Sequence, residues 1–209
     1  MEIIRPSEYG VEAAVTWCAT ALLRGAIIAF PTETFYGLGA KYDNPLPLER
    51  IYTIKKRPQN KAMPLIIGRR ELLGLVAEVV PPAAERLMNR FWPGPLTLIL
   101  PAKANISRYI TAGTGTVAVR IPGTSFAQKL AAAVEFPITA TSANISTHPP
   151  AASADAVSRY FNDHLDAVID CGRTRGTVPS TIVDATKERP VVLRRGVIPE
   201  EEVLLALQA

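Results

Sequence analysis

The sequence predicts a mixed α/β or α+β fold, built on a large twisted mixed sheet with flanking helices, and three observations carry that prediction. Apolar residues recur at helical spacing over 11–23, where Val11, Ala14, Val15, Cys18, Ala19 and Leu22 share one face. Short apolar runs such as 26–30 and 96–100 stand between helical segments and end in Pro, Gly or polar turn residues. Helices and strands are interspersed without the strand-helix-strand cadence of a purely parallel sheet.

In chain order, the helix over 11–23 closes at Gly25 and a buried strand follows at 26–30. A polar turn runs through Gly39, and a helix over 46–55 must stop before Pro58, whose ring cannot continue it. A strand at 65–67, helices at 71–79 and 83–91, and strands at 96–100 and 116–121 come next. Trp92, in a Pro- and Gly-rich turn, reads as a packing anchor. The spacing then predicts a helix at 125–134, a strand at 138–141, a loop through Pro149 and Pro150 into a helix at 153–161, and strands at 167–169, 181–184 and 191–193. A helix at 200–207 completes the reading.

The 209 residues suffice for one core, and no repeat or flexible linker divides them, so a single domain over 1–209 is expected. No apolar run approaches the roughly 20 residues that cross a bilayer. Glu2 and Glu8 near the start do not fit a secretory leader, so the expected location is the cytoplasm, with Cys18 and Cys171 as reduced thiols. The net charge of +4 is unevenly spread, with basic clusters at Lys55, Lys56, Arg57 and Lys61, at Arg69 and Arg70, and at Arg194 and Arg195. Such clusters suit a phosphorylated ligand, or weak contact with RNA, and otherwise form solvated faces. The chain has two His, His148 and His164, no Cys pair at metal-ligand spacing and no GxxxxGK[ST], GxSxG or GxGxxG. Structural zinc, a Walker site, a hydrolase elbow and a nicotinamide site are therefore not expected, nor any protein-held metal, and His148 reads as a surface loop residue.

Four constellations could carry chemistry. The segment Pro31-Thr32-Glu33-Thr34-Phe35-Tyr36-Gly37-Leu38-Gly39 puts hydroxyls, a carboxylate and glycines directly after a strand, either as a ligand loop or as a capped turn. Lys55 and Arg57 lie two apart at a helix end, where a mobile point charge and a planar fork could share a polyphosphate, or merely complement the helix C-terminus. In the strand over 116–121, period two places Thr116, Ala118 and Arg120 on one face; a buried Arg120 needs an anion, either an internal carboxylate or that of a ligand. Thr141-Ser142-Ala143-Asn144 and Pro179-Ser180-Thr181, with Arg194, set further polar groups at strand boundaries.

Taken in order, Pro31 to Gly39, Lys55-Lys56-Arg57, Trp92-Pro93-Gly94-Pro95-Leu96-Thr97, Val119-Arg120-Ile121-Pro122, Thr141 to Asn144 and Pro179 to Thr181 closely resemble the YrdC/Sua5 family over about residues 10–200. The resemblance implies a YrdC-like domain with a concave basic cleft. It also implies synthesis of threonylcarbamoyl-AMP and pyrophosphate from L-threonine, bicarbonate or CO2, and ATP, the first step toward N6-threonylcarbamoyladenosine (t6A) in tRNA. By family match, Thr34, Arg120, Thr141 and Ser180 would hold threonine. Lys55 and Arg57 would stabilise the leaving pyrophosphate, and Lys61, Thr116, Ser142, Asn144 and Arg194 would complete the ATP site. Mg2+ would arrive with ATP, and replacing Lys55 or Arg57 by Ala would depress turnover with the fold intact. The implied partners are tRNA in direct contact and a transferase complex that receives the product.

Two departures qualify the match. Where family members often carry His after Met63-Pro64-Leu65-Ile66-Ile67, this chain has Gly68, with Lys61 and Arg69 as candidate substitutes. It also resembles the short form, without the additional C-terminal domain of longer members. The competing readings are a carbamoyl-adenylate-forming activity like that of HypF-type carbamoyltransferases, a noncatalytic RNA-binding module, and a YciO-type paralogue.

Overall fold

The computed structural model describes residues 1–174, 176 and 178–208. Its elements in chain order are β1 (Glu2–Ile4), α1 (Pro6–Tyr9), α2 (Val11–Leu23), β2 (Ile28–Pro31), β3 (Tyr36–Gly39), α3 (Pro45–Lys55), β4 (Leu65–Ile66), α4 (Pro82–Phe91), β5 (Leu96–Pro101), α5 (Arg108–Thr111), β6 (Thr116–Arg120), α6 (Phe126–Ala132), β7 (Ile138–Thr139), β8 (Thr141–Ser142), α7 (Ala154–Phe161), β9 (Ala167–Ile169), β10 (Thr181–Asp184), β11 (Val191–Arg194) and α8 (Glu200–Gln208).

The strands form two mixed sheets rather than one large one, ordered β1-β9-β2-β3-β8 and β11-β10-β5-β6-β4-β7. The single strand expected at 138–141 is the point of division. Ile138 and Thr139 pair antiparallel with β4, whereas Thr141 and Ser142 pair antiparallel with β3. Between them, the Ala140 amide donates to Pro64 O at 2.9 Å. A run of four suitable residues carries no periodicity that could reveal service in two sheets. Thr139, fully buried, sews the sheets together: its hydroxyl accepts from the Ala40 amide at 2.9 Å and donates to Leu38 O at 3.1 Å.

Helices α2 and α6 cover one face of the first sheet, where Val15, Cys18, Leu22, Phe126 and Leu130 pack on Ile28 and Phe30. The apolar stripe read from the sequence is the stripe buried here, with Ala14, Val15, Cys18 and Leu22 all inaccessible or nearly so. The second sheet buries Leu96, Leu98, Leu100, Val117, Val119 and Val183 in the larger core. Strand alternation therefore leaves Thr97, Ile99, Ala118 and Arg120 on its opposite face. That face is the floor of the site.

Two further expectations are corrected. The segment 36–39 is a buried strand, not a turn: Tyr36-Gly37-Leu38-Gly39 pairs antiparallel with β2, and a Cβ on Gly39 would lie 2.3 Å from the Phe30 ring. Gly39 serves close packing rather than chain reversal. The expected helix at 71–79 is a 3-10 helix over Arg70–Leu75. Gly74 weakens helix there by about 1 kcal/mol, and Ala77 is drawn into a bridge with Ala102.

Gly68 is required by packing. A Cβ there would stand 2.2 Å from Ala131 O and 2.6 Å from Ala132 Cα, against the backbone of the last two residues of α6. Gly68→Ala is expected to lower stability by about 1–3 kcal/mol through overpacking, read as a reduced midpoint in thermal unfolding; an unchanged midpoint would mean that α6 can move aside.

Candidate active site

A cavity of about 330 Å³ lies between the loop joining β2 to β3 and the exposed face of the second sheet. Its floor comes from paired positions on neighbouring strands, with Ile66 beside Arg120, Ile99 opposite Ala118, and Thr97 beside Ile182, which in turn faces Arg194. Thr32 and Thr34 form one wall, Thr141 and Ser142 a second, and Ser180 and Arg57 approach from the rim. Among the described residues, three guanidinium groups, Arg57, Arg120 and Arg194, line the cavity, and no carboxylate does. A ligand bearing several negative charges is what such walls favour.

The loop wall is fixed by its own hydroxyls. Thr32 Oγ1 donates to Phe35 O at 2.8 Å and accepts from the amides of Thr34 and Phe35 at 3.1 and 3.2 Å. Thr34, nearly fully buried, shares a 3.0 Å hydrogen bond between hydroxyls with Thr32. Across the cavity, Ser180 Oγ lies 3.0 Å from Thr97 Oγ1 and accepts from Arg194 Nη2 at 2.9 Å. Arg194 also donates through Nε and Nη2 to Ser180 O at 3.0 and 2.8 Å.

Lys55 and Arg57 diverge because Lys56 adopts a left-handed conformation, φ 48°, at the end of α3. Arg57 turns to the cavity, donating through Nη1 to Thr141 Oγ1 at 3.2 Å and through Nε to Lys61 O at 3.0 Å, with its guanidinium 5.8 Å from the Tyr52 ring centroid. Lys55 turns beneath it. Its Nζ donates to Ser142 O, to Asn144 O at 2.7 Å and to Asn144 Oδ1 at 3.5 Å, and the residue is 1% exposed. Asn144 completes this support by accepting from Ser142 Oγ at 2.5 Å and donating to Ile145 O and His148 O at 3.0 and 2.6 Å.

Burial first, and then the neighbouring Arg57, pull the Lys55 ammonium down from 10.5 to about 7. Burial lowers all three cavity arginines from their ordinary value; Glu33 partly offsets this at Arg120, whereas the Arg120 charge lowers Arg194 further. Guanidinium groups stay charged under such pressure.

Thr34, Arg57, Arg120, Thr141, Ser142, Ser180 and Arg194 thus meet at one cavity, while Lys55 and Asn144 lie under its Ser142 wall. Thr116 is not brought to it. It opens β6, four residues and about 13 Å along the strand from Arg120, and its hydroxyl bonds to that of Thr114 at 2.8 Å. Lys61 is exposed and contributes its carbonyl to Arg57. Neither Lys61 nor Arg69, the candidate substitutes for a side chain at Gly68, lines the cavity, and Arg69 pairs with Glu135. Thr32 and Thr97 were not singled out as site residues from the sequence, although alternation within β5 already sets Thr97 apart from Leu96 and Leu98. Among the described residues, no group of three or more His, Cys, Asp and Glu could hold a metal ion.

The Sua5/YciO/YrdC family model, described as Telomere recombination, matches residues 20–196. The chain belongs to the Sua5/YciO/YrdC family. Within this family, it is 43% identical over 96% of its length to a threonylcarbamoyl-AMP synthase of Pyrococcus abyssi and 40% identical over 88% to one of Bacillus subtilis. It spans 59% and 54% of the length of those two proteins. A crystal structure of P. abyssi Sua5 complexed with L-threonine superposes with a TM-score of 0.88 at 40% identity, covering 98% of this chain and 60% of that one. Among the described residues, no helix is long and apolar enough to cross a membrane.

Proposed function

We propose that this chain forms threonylcarbamoyl-AMP from L-threonine, bicarbonate or CO2, and ATP, releasing pyrophosphate. The observation that carries the reading is the cavity in which Arg57, Arg120 and Arg194 converge without a facing carboxylate. Its hydroxyls, Thr34, Thr141 and Ser180, suit the polar groups of a small amino acid held by its carboxylate on Arg120. The two named synthases and the threonine-bound relative support the choice of substrate.

In the reaction, the threonine nitrogen bonds to the carbon of CO2 and releases a proton, giving a carbamate. A carbamate oxygen then bonds to the α-phosphorus of ATP as the bond to pyrophosphate breaks. Charge accumulates on the leaving pyrophosphate, where Arg57, and Lys55 from below, act electrostatically. Ser142, with Asn144 and Arg194, positions the nucleotide. ATP would enter as its Mg2+ complex, with the phosphates rather than the protein supplying the charged oxygens, since among the described residues the cavity is lined by no carboxylate. The product passes to a transferase that modifies tRNA.

Purified protein incubated with ATP, Mg2+, bicarbonate and L-threonine is expected to yield threonylcarbamoyl-AMP by mass spectrometry, with equal pyrophosphate release, and none without threonine. Product from carbamoyl phosphate instead, or salt-sensitive RNA binding with no turnover, would replace this reading with a carbamoyl-adenylate or an RNA-binding one.

A further inference from the structure

Arg120 is 7% exposed and Glu33 is its only ion-pair partner among the described residues, with Nη1 to Oε1 at 2.5 Å. The two side chains stand on opposite sides of the β2–β3 loop. Arg120 lines the 330 Å³ cavity, whereas Glu33 lines a separate hollow of about 340 Å³ with Thr124, Ser125 and Arg173. Glu33 therefore holds Arg120 from behind.

The unpaired atoms of this pair differ in kind. Glu33 Oε2 is sealed from solvent and accepts no hydrogen bond. Among the described residues the other donors of Arg120 have no protein acceptor; unlike Glu33 Oε2 they are not sealed, and the residue lines the cavity. Leaving a buried carboxylate oxygen unpaired is unfavourable, and a loop selected for stability alone would place a neutral side chain or a second donor here. The loop geometry instead fixes Glu33 in place: Thr32 Oγ1 accepts from the amides of Thr34 and Phe35, the two residues that follow Glu33, and the Glu33 stem lies within 4 Å of where a Gly123 Cβ would stand.

We propose that Glu33 is a positioning residue for the amino-acid substrate: it engages one terminal nitrogen of Arg120 and so presents the other edge of the fork to a carboxylate in the cavity. This rests on the synthase reading and deepens it. An arginine that shared its cavity with two other guanidinium groups and had no counter-ion would swing toward any acceptor within reach; with Glu33 behind it, the fork keeps one pose. Glu33 touches no substrate atom and acts only through Arg120.

The test is steady-state product formation by Glu33→Gln and Glu33→Asp, with threonine and ATP varied separately. Glu33→Gln, which keeps shape and loses charge, should raise the threonine KM about tenfold or more while the ATP KM stays within about twofold. Glu33→Asp, which keeps charge at shorter reach, should show the same split at smaller size. If the glutamine variant does not fold, the aspartate variant decides. An unchanged threonine KM in the folded variants, or equal rises for both substrates, overturns the proposal while leaving the synthase reading intact. A wild-type protein that makes no threonine-dependent product removes both.

Discussion

Arg120→Ala is expected to lose threonine-dependent synthesis, with kcat/KM for threonine falling by roughly 30-fold to several thousand-fold. Truncating a buried, hydrogen-bonded charge at a binding site costs about 2–5 kcal/mol, and each 1.4 kcal/mol is about tenfold. The same change leaves Glu33 without its cation, and a broken buried pair destabilises by about 3–5 kcal/mol. Lost activity alone would therefore be ambiguous. Arg120→Lys separates the effects: it restores a counter-charge to Glu33 but replaces the planar fork by a point charge. Its thermal midpoint should lie nearer the wild type than that of Arg120→Ala, while threonine saturation stays impaired. Wild-type threonine saturation in either folded variant would remove Arg120 from the amino-acid site.

The sequence left two partners open for Arg120, and the structure supplies one of them. Period two put Arg120 on a face of its own strand, but the carboxylate is 87 positions away in the chain and arrives only through sheet packing. The same limit applies across the site. Thr34, Arg57, Thr141 and Ser180 are singled out by polar groups in turns or at strand and helix ends, together with the family resemblance of the motifs that hold them. Their convergence depends on registers, such as Leu38 opposite Thr141 and Ile182 opposite Arg194, that no local pattern encodes. Long amphipathic elements were legible for the opposite reason: the stripe in α2 and the one in α7 each record a single buried face. Short strands were legible where an apolar run marks them, as at 65–67, 167–169 and 181–184, and not where it is too brief or broken. β1 has three residues, β3 has two glycines among four, and β7 and β8 have two residues each. Thr116 shows a further limit: sharing a strand face with Arg120 says nothing about sharing its end.

Lys55→Met should reduce pyrophosphate release by about 100-fold and also lower stability, contrary to the expectation that this lysine can be removed with the fold intact. The Lys55 ammonium serves three oxygens beneath Ser142, and each buried acceptor left unpaired costs about 1–3 kcal/mol. Loss of stability alone is again insufficient evidence for a catalytic part, and the proton provides the discriminating signal. Burial and Arg57 hold Lys55 at about 7 rather than 10.5. Between those values the unfolded chain binds a proton that the folded chain has released. The unfavourable contribution of this group is therefore largest below pH 7 and is relieved as pH rises toward 10.5. An arriving triphosphate acts in the other direction. Its negative charge favours the ammonium, so ATP binding should take up a proton. Uptake should be small at pH 6, where Lys55 is already charged, and approach one proton near pH 8, with ATP affinity weakening over the same interval. Calorimetry with excess Mg2+ in buffers of different ionisation enthalpy measures this uptake, and Lys55→Met should abolish it. Wild-type ATP binding without proton exchange at pH 8 would mean that Lys55 supports the Ser142 wall and does not sense the nucleotide, leaving Arg57 to meet the leaving group alone.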